Sequence, residues 1–323
     1  MIGASDYTWL GRVLFNGQVH LSSKLPWYYA PWWFLISTPP VVIVGAVLSM
    51  FVSRRRGWTL SFNGQDAPTN RPWYSAPWRV LISTPRVVLA GAILSRFVAR
   101  SRSWTLSRNA LWAVAAIPVL LVIVRGSTLY DGVRHLLFIY PILVVLAASG
   151  WAACLSRRNP PWLRISAAAV LVAGLVNVFA FHVRFHPNQT VYFNELVGGP
   201  RGAFTKFDMD YWGNCVLQAV AWSAQTAQLS GRPIAISGNP WHLVQLDAER
   251  FRESLFFTAP FDRRHYLNVR LNRGGVRELA TREDALYRVQ TADGAVLCVV
   301  LPGPAFAELQ PHLSLPPAQS SAH

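Results

Sequence analysis

The sequence predicts an α-helical multi-pass membrane region followed by a small soluble α/β domain. Three observations carry this. Hydrophobic residues make up 52% of the 323 positions, too many for a typical soluble chain. They gather in runs at 31–52, 109–124, 134–155 and 163–183, each near the roughly 20 residues that cross a bilayer. After Arg184 the hydrophobicity drops and short segments of strand character begin.

Residues 1–30 read as a periplasmic lead-in segment, and 1–24 lack the basic start and apolar centre of a cleavable signal peptide. The first apolar run is therefore expected to act as the insertion signal. Pro26-Trp27-Tyr28-Tyr29 and Trp32-Trp33 form an aromatic belt of the kind found at membrane–water boundaries. Residues 26–61 recur at 72–107, with 25 of 36 positions identical, which reads as a tandem duplication because two copies are too few for a solenoid. The second copy gains Arg79, Arg86 and Arg96. An arginine near a helix centre costs about 3 kcal/mol on insertion, so 77–99 is read as a re-entrant or interfacial segment.

The net charge of +15 does not point to nucleic acid. Lys24 and Lys206 are the only lysines, and the arginines cluster at the ends of apolar runs: Arg54-Arg55-Arg56, Arg100, Arg102, Arg108 and Arg157-Arg158. Cytoplasmic loops carry this pattern. The resulting topology runs 31–52 inward, 109–124 outward, 134–155 inward and 163–183 outward. Residues 184–302 then form a periplasmic α/β domain of an inner (plasma) membrane protein.

Within that domain 214–229 shows helical spacing, and 233–237, 265–270, 286–291 and 295–300 read as strands. Thr291-Ala292-Asp293-Gly294 is a hairpin turn signal. The proline-rich stretch 303–323 is expected to fray. Of the three cysteines, Cys215 and Cys298 fall in the domain, where a disulfide forms if the fold brings them together; spacing leaves both states open.

Two polar clusters are candidates for chemistry. The first holds Tyr130, Asp131, Arg134 and His135, at the mouth of the helix beginning near 134. Arg134 and His135 can donate to a phosphate, with Asp131 orienting either of them. The competing reading is a helix start with Asp131 as its N-cap. The second lies in His182–Trp212, where Asp208, Asp210, Tyr211 and Trp212 offer an acidic and aromatic surface suited to a sugar or acceptor; an ordered connection between domain and membrane reads equally well. Asn188-Gln189-Thr190 matches a glycosylation acceptor. Residues 1–183 hold only Asp6, Asp66 and Asp131 as acidic groups, so general bases are scarce. No phosphate-binding glycine loop, dinucleotide fingerprint, HExxH or GxSxG occurs.

Three segments, 25–40 (LPWYYAPWWFLISTPP), Tyr130–Pro141 and Tyr192–Gly213 (YFNELVGGPRGAF to DYWG), resemble the C-terminal part of bacterial membrane glycosyltransferases of the GT-C superfamily. These are the phospholipid-carrier-dependent enzymes similar to protein O-mannosyltransferases and aminoarabinose transferases. The resemblance implies transfer of a sugar from a polyprenyl-phosphate carrier to an acceptor outside the cytoplasm. It implies no cofactor or metal, and puts the carrier phosphate on Tyr130, Asp131, Arg134 and His135. Similar enzymes carry their essential acidic residue in a loop several helices ahead of the LPWYY segment. The catalytic residue is therefore unassigned, and the partners implied are the bilayer, the lipid-linked sugar and a separate N-terminal half. The alternative is a non-catalytic or degenerate membrane protein.

Overall fold

The computed structural model describes residues 11–51, 60–61, 105–106, 108–259, 261–271 and 282–312. The repeat segment 77–99 and the arginines at 54–56, 100 and 102 lie outside them. The chain opens with a hairpin of β1 (Arg12–Phe15) and β2 (Gln18–Leu21) around Asn16-Gly17, both at positive φ. That dipeptide is the preferred two-residue hairpin turn. Two helices follow, α1 (Tyr29–Ser37) and α2 (Pro40–Phe51).

Residues 31–52, expected as one span, are instead broken in two, with the helices bent by 113°. The cause is local: Thr38 is extended because a residue preceding proline is pushed out of the helical region, and Pro40 opens the next helix. The carbonyls left without partners by the break are taken by Asn194. Its side-chain amide donates to Leu35 O at 2.6 Å and Thr38 O at 2.9 Å, and its backbone N–H to Ile36 O at 2.8 Å.

Strands β3 (Leu60–Ser61) and β4 (Thr105–Leu106) pair antiparallel. They bring together the matching ends of the two repeat copies.

Helices α3 (Arg108–Arg125), α4 (Ile139–Cys154) and α5 (Pro161–Arg184) come next. Among the described residues α3 and α5 are long and apolar enough to cross a membrane, and the bent pair α1–α2 counts as a third if taken as one span. Helix α4 has 16 residues, roughly 24 Å, and falls short of the ~30 Å hydrocarbon core. The long helices turn apolar side chains outward: Phe179 is 70% exposed and Val124 81%. Faces of this kind need a surrounding other than water.

Helices α2 and α4 touch through their backbones. A Cβ added at Gly150 would lie 2.0 Å from the Gly45 carbonyl oxygen, and the Trp151 indole N–H donates to Val41 O at 2.9 Å. Small residues allow such an approach between apolar helices. Gly174 of α5 makes room for the Val41 side chain, whose Cβ would lie 2.6 Å from an added Cβ.

The α/β domain begins with a short helix α6 (Gly199–Ala203), then α7 (Asn214–Ser230), β5 (Ile234–Asn239), α8 (Trp241–Ala248), β6 (Leu255–Phe257), β7 (Leu267–Leu271), β8 (Tyr287–Gln290), β9 (Val296–Pro302) and α9 (Phe306–Leu309). The sheet order is β6-β5-β7-β9-β8. Strands β6, β5 and β7 run parallel; β9 is antiparallel to both β7 and β8. Helix α7 covers one face, its buried Val216, Ala219 and Val220 joining Ile234, Ile236, Leu267, Val269 and Val300 in one core. A Cys215–Cys298 disulfide ties the first turn of α7 to β9.

The proline-rich end carries structure past 303: Phe306–Leu309 is helical, Leu309 is fully buried, and Gln310–His312 form a 3₁₀ turn, while residues 313–323 lie outside the described residues. The apolar core is continuous from the domain into α1, where Tyr29, Trp33 and Ile36 pack with Val191, Phe193 and Phe207. The domain therefore sits directly on the bent helix pair.

Candidate functional site

Both polar clusters converge on one side chain, Arg134. The segment ahead of α4 turns sharply at Asp131 and Gly132, both left-handed (φ 59° and 66°). Gly132 is required there: its amide donates to the Tyr29 hydroxyl at 3.2 Å, and an added Cβ would press on the Trp33 ring at 3.1 Å. The turn buries Asp131 to 3% exposure and leads into a short 3₁₀ turn, Arg134–Leu136, which no side chain caps. The carboxylate of Asp131 instead accepts a bond from Arg134 Nη1 at 3.2 Å. Its role is to hold the arginine, and the N-cap reading is corrected.

From that anchor the Arg134 guanidinium reaches over the Trp212 ring, 5.0 Å from its centroid, with 42% of its side chain exposed. A cation on an aromatic face is attracted by the ring quadrupole, and here the ring also fixes the guanidinium plane. Tyr211 and Trp212 stand next to each other at 5.2 Å, and Tyr130 meets the His135 ring edge-on at 4.7 Å. Burial and the neighbouring Arg134 hold His135 below the usual imidazole range, with Asp131 opposing. His135 is thus neutral at neutral pH, and the positive charge of the site rests on Arg134.

Asp208 and Asp210 are both buried and both accept backbone amides. Asp208, 4% exposed, accepts the Leu14 amide at 3.0 Å, while its own amide donates to Leu14 O at 3.2 Å. It fastens the opening hairpin to the domain. Asp210, 3% exposed, accepts the amides of Asn214 at 3.2 Å and Cys215 at 2.8 Å at the start of α7. Burial pushes its carboxyl above the ordinary range, and the amides of Cys215, Asn214 and Gly213 oppose this. The acidic half of the expected sugar-facing surface is therefore structural, whereas Tyr211 and the half-exposed Trp212 remain beside Arg134. Asn188 of the glycosylation-like triplet is also buried, accepting a bond from Gln218 at 2.9 Å.

Two contributors escaped the sequence reading. Tyr29 and Trp33 lie 103 and 99 positions before Gly132 yet form the floor under it; the aromatic run was read only as a belt. Among the described residues no group of three His, Cys, Asp or Glu is placed to hold a metal. Comparison with protein-family models, with curated proteins and with solved structures gives no match to this chain.

Proposed function

We propose that the chain is the C-terminal portion of a membrane glycosyltransferase that moves a sugar from a polyprenyl-phosphate carrier, with Arg134 gripping the carrier phosphate. One observation carries the reading: a buried carboxylate and an exposed indole hold Arg134 from two sides, with 42% of its side chain left exposed. Its planar fork of five N–H donors suits phosphate oxygens, and only one bond is spent on Asp131. Neutral His135 beside it supplies a donor without adding charge.

The exposed apolar faces of α3 and α5 support a site near a lipid surface, where a polyprenyl chain would lie. In this reading the site and the α/β domain are periplasmic. Reporter fusions test that orientation: a marker after Arg158 reads cytoplasmic and one after His186 reads external, while the reverse at both positions overturns it.

A second reading, a non-catalytic protein or a subunit whose base comes from another chain, is favoured by the commitment of the nearby carboxylates. Asp131, Asp208 and Asp210 are all held by ion pairing or by backbone amides. A carboxylate so engaged is a poor proton acceptor for a sugar hydroxyl.

The deciding experiment measures both binding of a radiolabelled polyprenyl-phosphate-linked sugar and transfer by membranes carrying the full chain. Arg134→Ala is expected to weaken binding about tenfold, the loss of a charge-assisted bond at a partly screened site. Binding without transfer selects the subunit reading; unchanged binding in the variant removes the phosphate role.

A further inference from the structure

Helix α1 carries two stripes of large side chains in opposite surroundings. Tyr29, Trp33 and Ile36, at the i, i+4, i+7 spacing of one helix face, are buried in the core shared with the α/β domain. Tyr28, Trp32 and Leu35 repeat that spacing one residue earlier and are all exposed. Tyr28 belongs to the same helical run, since its carbonyl accepts the Trp32 amide at 2.9 Å. Trp27, 71% exposed, extends the outer stripe and meets the Tyr28 ring at 5.7 Å. A water-facing surface seldom leaves side chains of this size uncovered in a row.

Three observations name what covers them. The first is direction: with α2 along the bilayer normal, the 113° bend lays α1 close to the membrane plane. The second is the order of side chains. The outward residues of α1 are chiefly Trp and Tyr, whereas beyond the bend those of α2 are Val44, Val47, Met50 and Phe51. Rings with a polar handle followed by plain apolar chains mark the passage from the headgroup layer into hydrocarbon. The third is charge. Arg12, the register partner of Leu21, and Lys24, whose amide donates to Leu21 O at 2.9 Å, stand exposed at the end of the hairpin that leads into α1. Residues 11–51 hold no acidic side chain to offset them. Anionic phospholipid headgroups complement such a surface.

We propose that α1 lies in the plane of an anionic phospholipid bilayer at headgroup depth, with Trp27, Tyr28, Trp32 and Leu35 seated in the lipid and Arg12 and Lys24 on its phosphates. Helices of this kind sink roughly 5–10 Å into the boundary between headgroups and acyl chains. Through Tyr29 and Trp33 the same helix carries the turn at Gly132, so its depth fixes the height of Arg134 over the acyl chains. The proposal rests on the membrane reading of α5 and not on the phosphate role of Arg134.

The test places a nitrobenzoxadiazole fluorophore on the full chain, in a Cys154→Ser background that leaves no other free thiol. Trp32→Cys and Leu35→Cys carry the label in turn, in nanodiscs of mixed phosphatidylcholine and phosphatidylglycerol. Both positions are exposed, so either variant alone suffices should the other fail to fold. The quenchers are iodide in the water, a lipid nitroxide near the headgroup and a lipid nitroxide deep in the acyl chain. Both labels are expected to be quenched most by the shallow nitroxide, and about twofold more when phosphatidylglycerol carries it than when phosphatidylcholine does. Arg12→Gln with Lys24→Gln should abolish that preference. A label at Val172→Cys, on an exposed face of α5, should respond most to the deep nitroxide and reports that the chain is inserted. Strongest quenching of the α1 labels by iodide or by the deep nitroxide overturns the proposal, and so does quenching by none of the three, which would mean that protein covers the stripe. Equal quenching from both headgroups, or a preference that survives the double variant, overturns the anionic recognition. A Val172 label that answers to iodide removes the membrane reading itself, and the proposal with it.

Discussion

Reduction of the Cys215–Cys298 disulfide, or its removal by Cys215→Ser, is expected to lower the stability of the α/β domain by about 4 kcal/mol. The bond joins positions 83 residues apart, and both cysteines are fully buried. In the loop-entropy account a closed loop of that length restrains the unfolded chain by about 4.5 kcal/mol, and residual structure in that chain trims the figure. The link also pins the first turn of α7, whose amides are held by Asp210, to a strand inside the sheet. Loss is therefore felt in the core rather than at an edge. Thermal unfolding with and without reductant reads the effect directly. Thiol counting gives an independent check: the oxidised, denatured chain should expose one thiol, Cys154, and the reduced chain three. Equal stability in both states would mean that the bridge does not form.

The second large effect is expected at Gly150→Val, which should destabilise the helical region by about 3 kcal/mol. A first added carbon would lie 2.0 Å from the Gly45 oxygen and 2.8 Å from the Ser49 nitrogen, both backbone atoms that cannot swing aside. The helices must separate, and with them goes the Trp151 bond to Val41 O. The Trp112 indole bond to Ser49 at 3.2 Å is weakened by the same shift. Close packing between small residues and such bonds are what hold apolar helices of this kind together. Denaturation of the detergent-solubilised chain, with Val144→Leu on an exposed face as comparison, measures it. A Gly150→Val chain as stable as that comparison would show that α2 and α4 do not pack this way.

Periodicity made the regular elements readable. The long apolar runs at 109–124 and 163–183 lie within helices Arg108–Arg125 and Pro161–Arg184, and the four expected strands overlap β5, β7, β8 and β9. The broken helix was misread because apolar length was weighed ahead of Thr38-Pro39-Pro40, a stop signal present in the sequence. The opening hairpin was missed although Asn16-Gly17 announces it. Helix α8 and β6 are short, and their apolar residues set no clear period.

At the site, residue types were legible but their partners were not. Arg134 and Trp212 are 78 positions apart, and no spacing rule predicts that the indole lies under the guanidinium. The inward turn of Asp208 and Asp210 was equally hidden, because a carboxylate that caps backbone amides and one that meets a ligand look alike in sequence.

The Asn194 tie between the domain and the bend of α1–α2 has a mechanical meaning. Three bonds from one residue to the open carbonyls, with a continuous apolar core beside them, leave no slack for the sheet to tilt independently of the bent helices. Domain and bend form a single lever, and the Asp131–Arg134 turn rests on α1, which is part of that lever. The sheet, the bend and the turn that carries the arginine thus share one packed core.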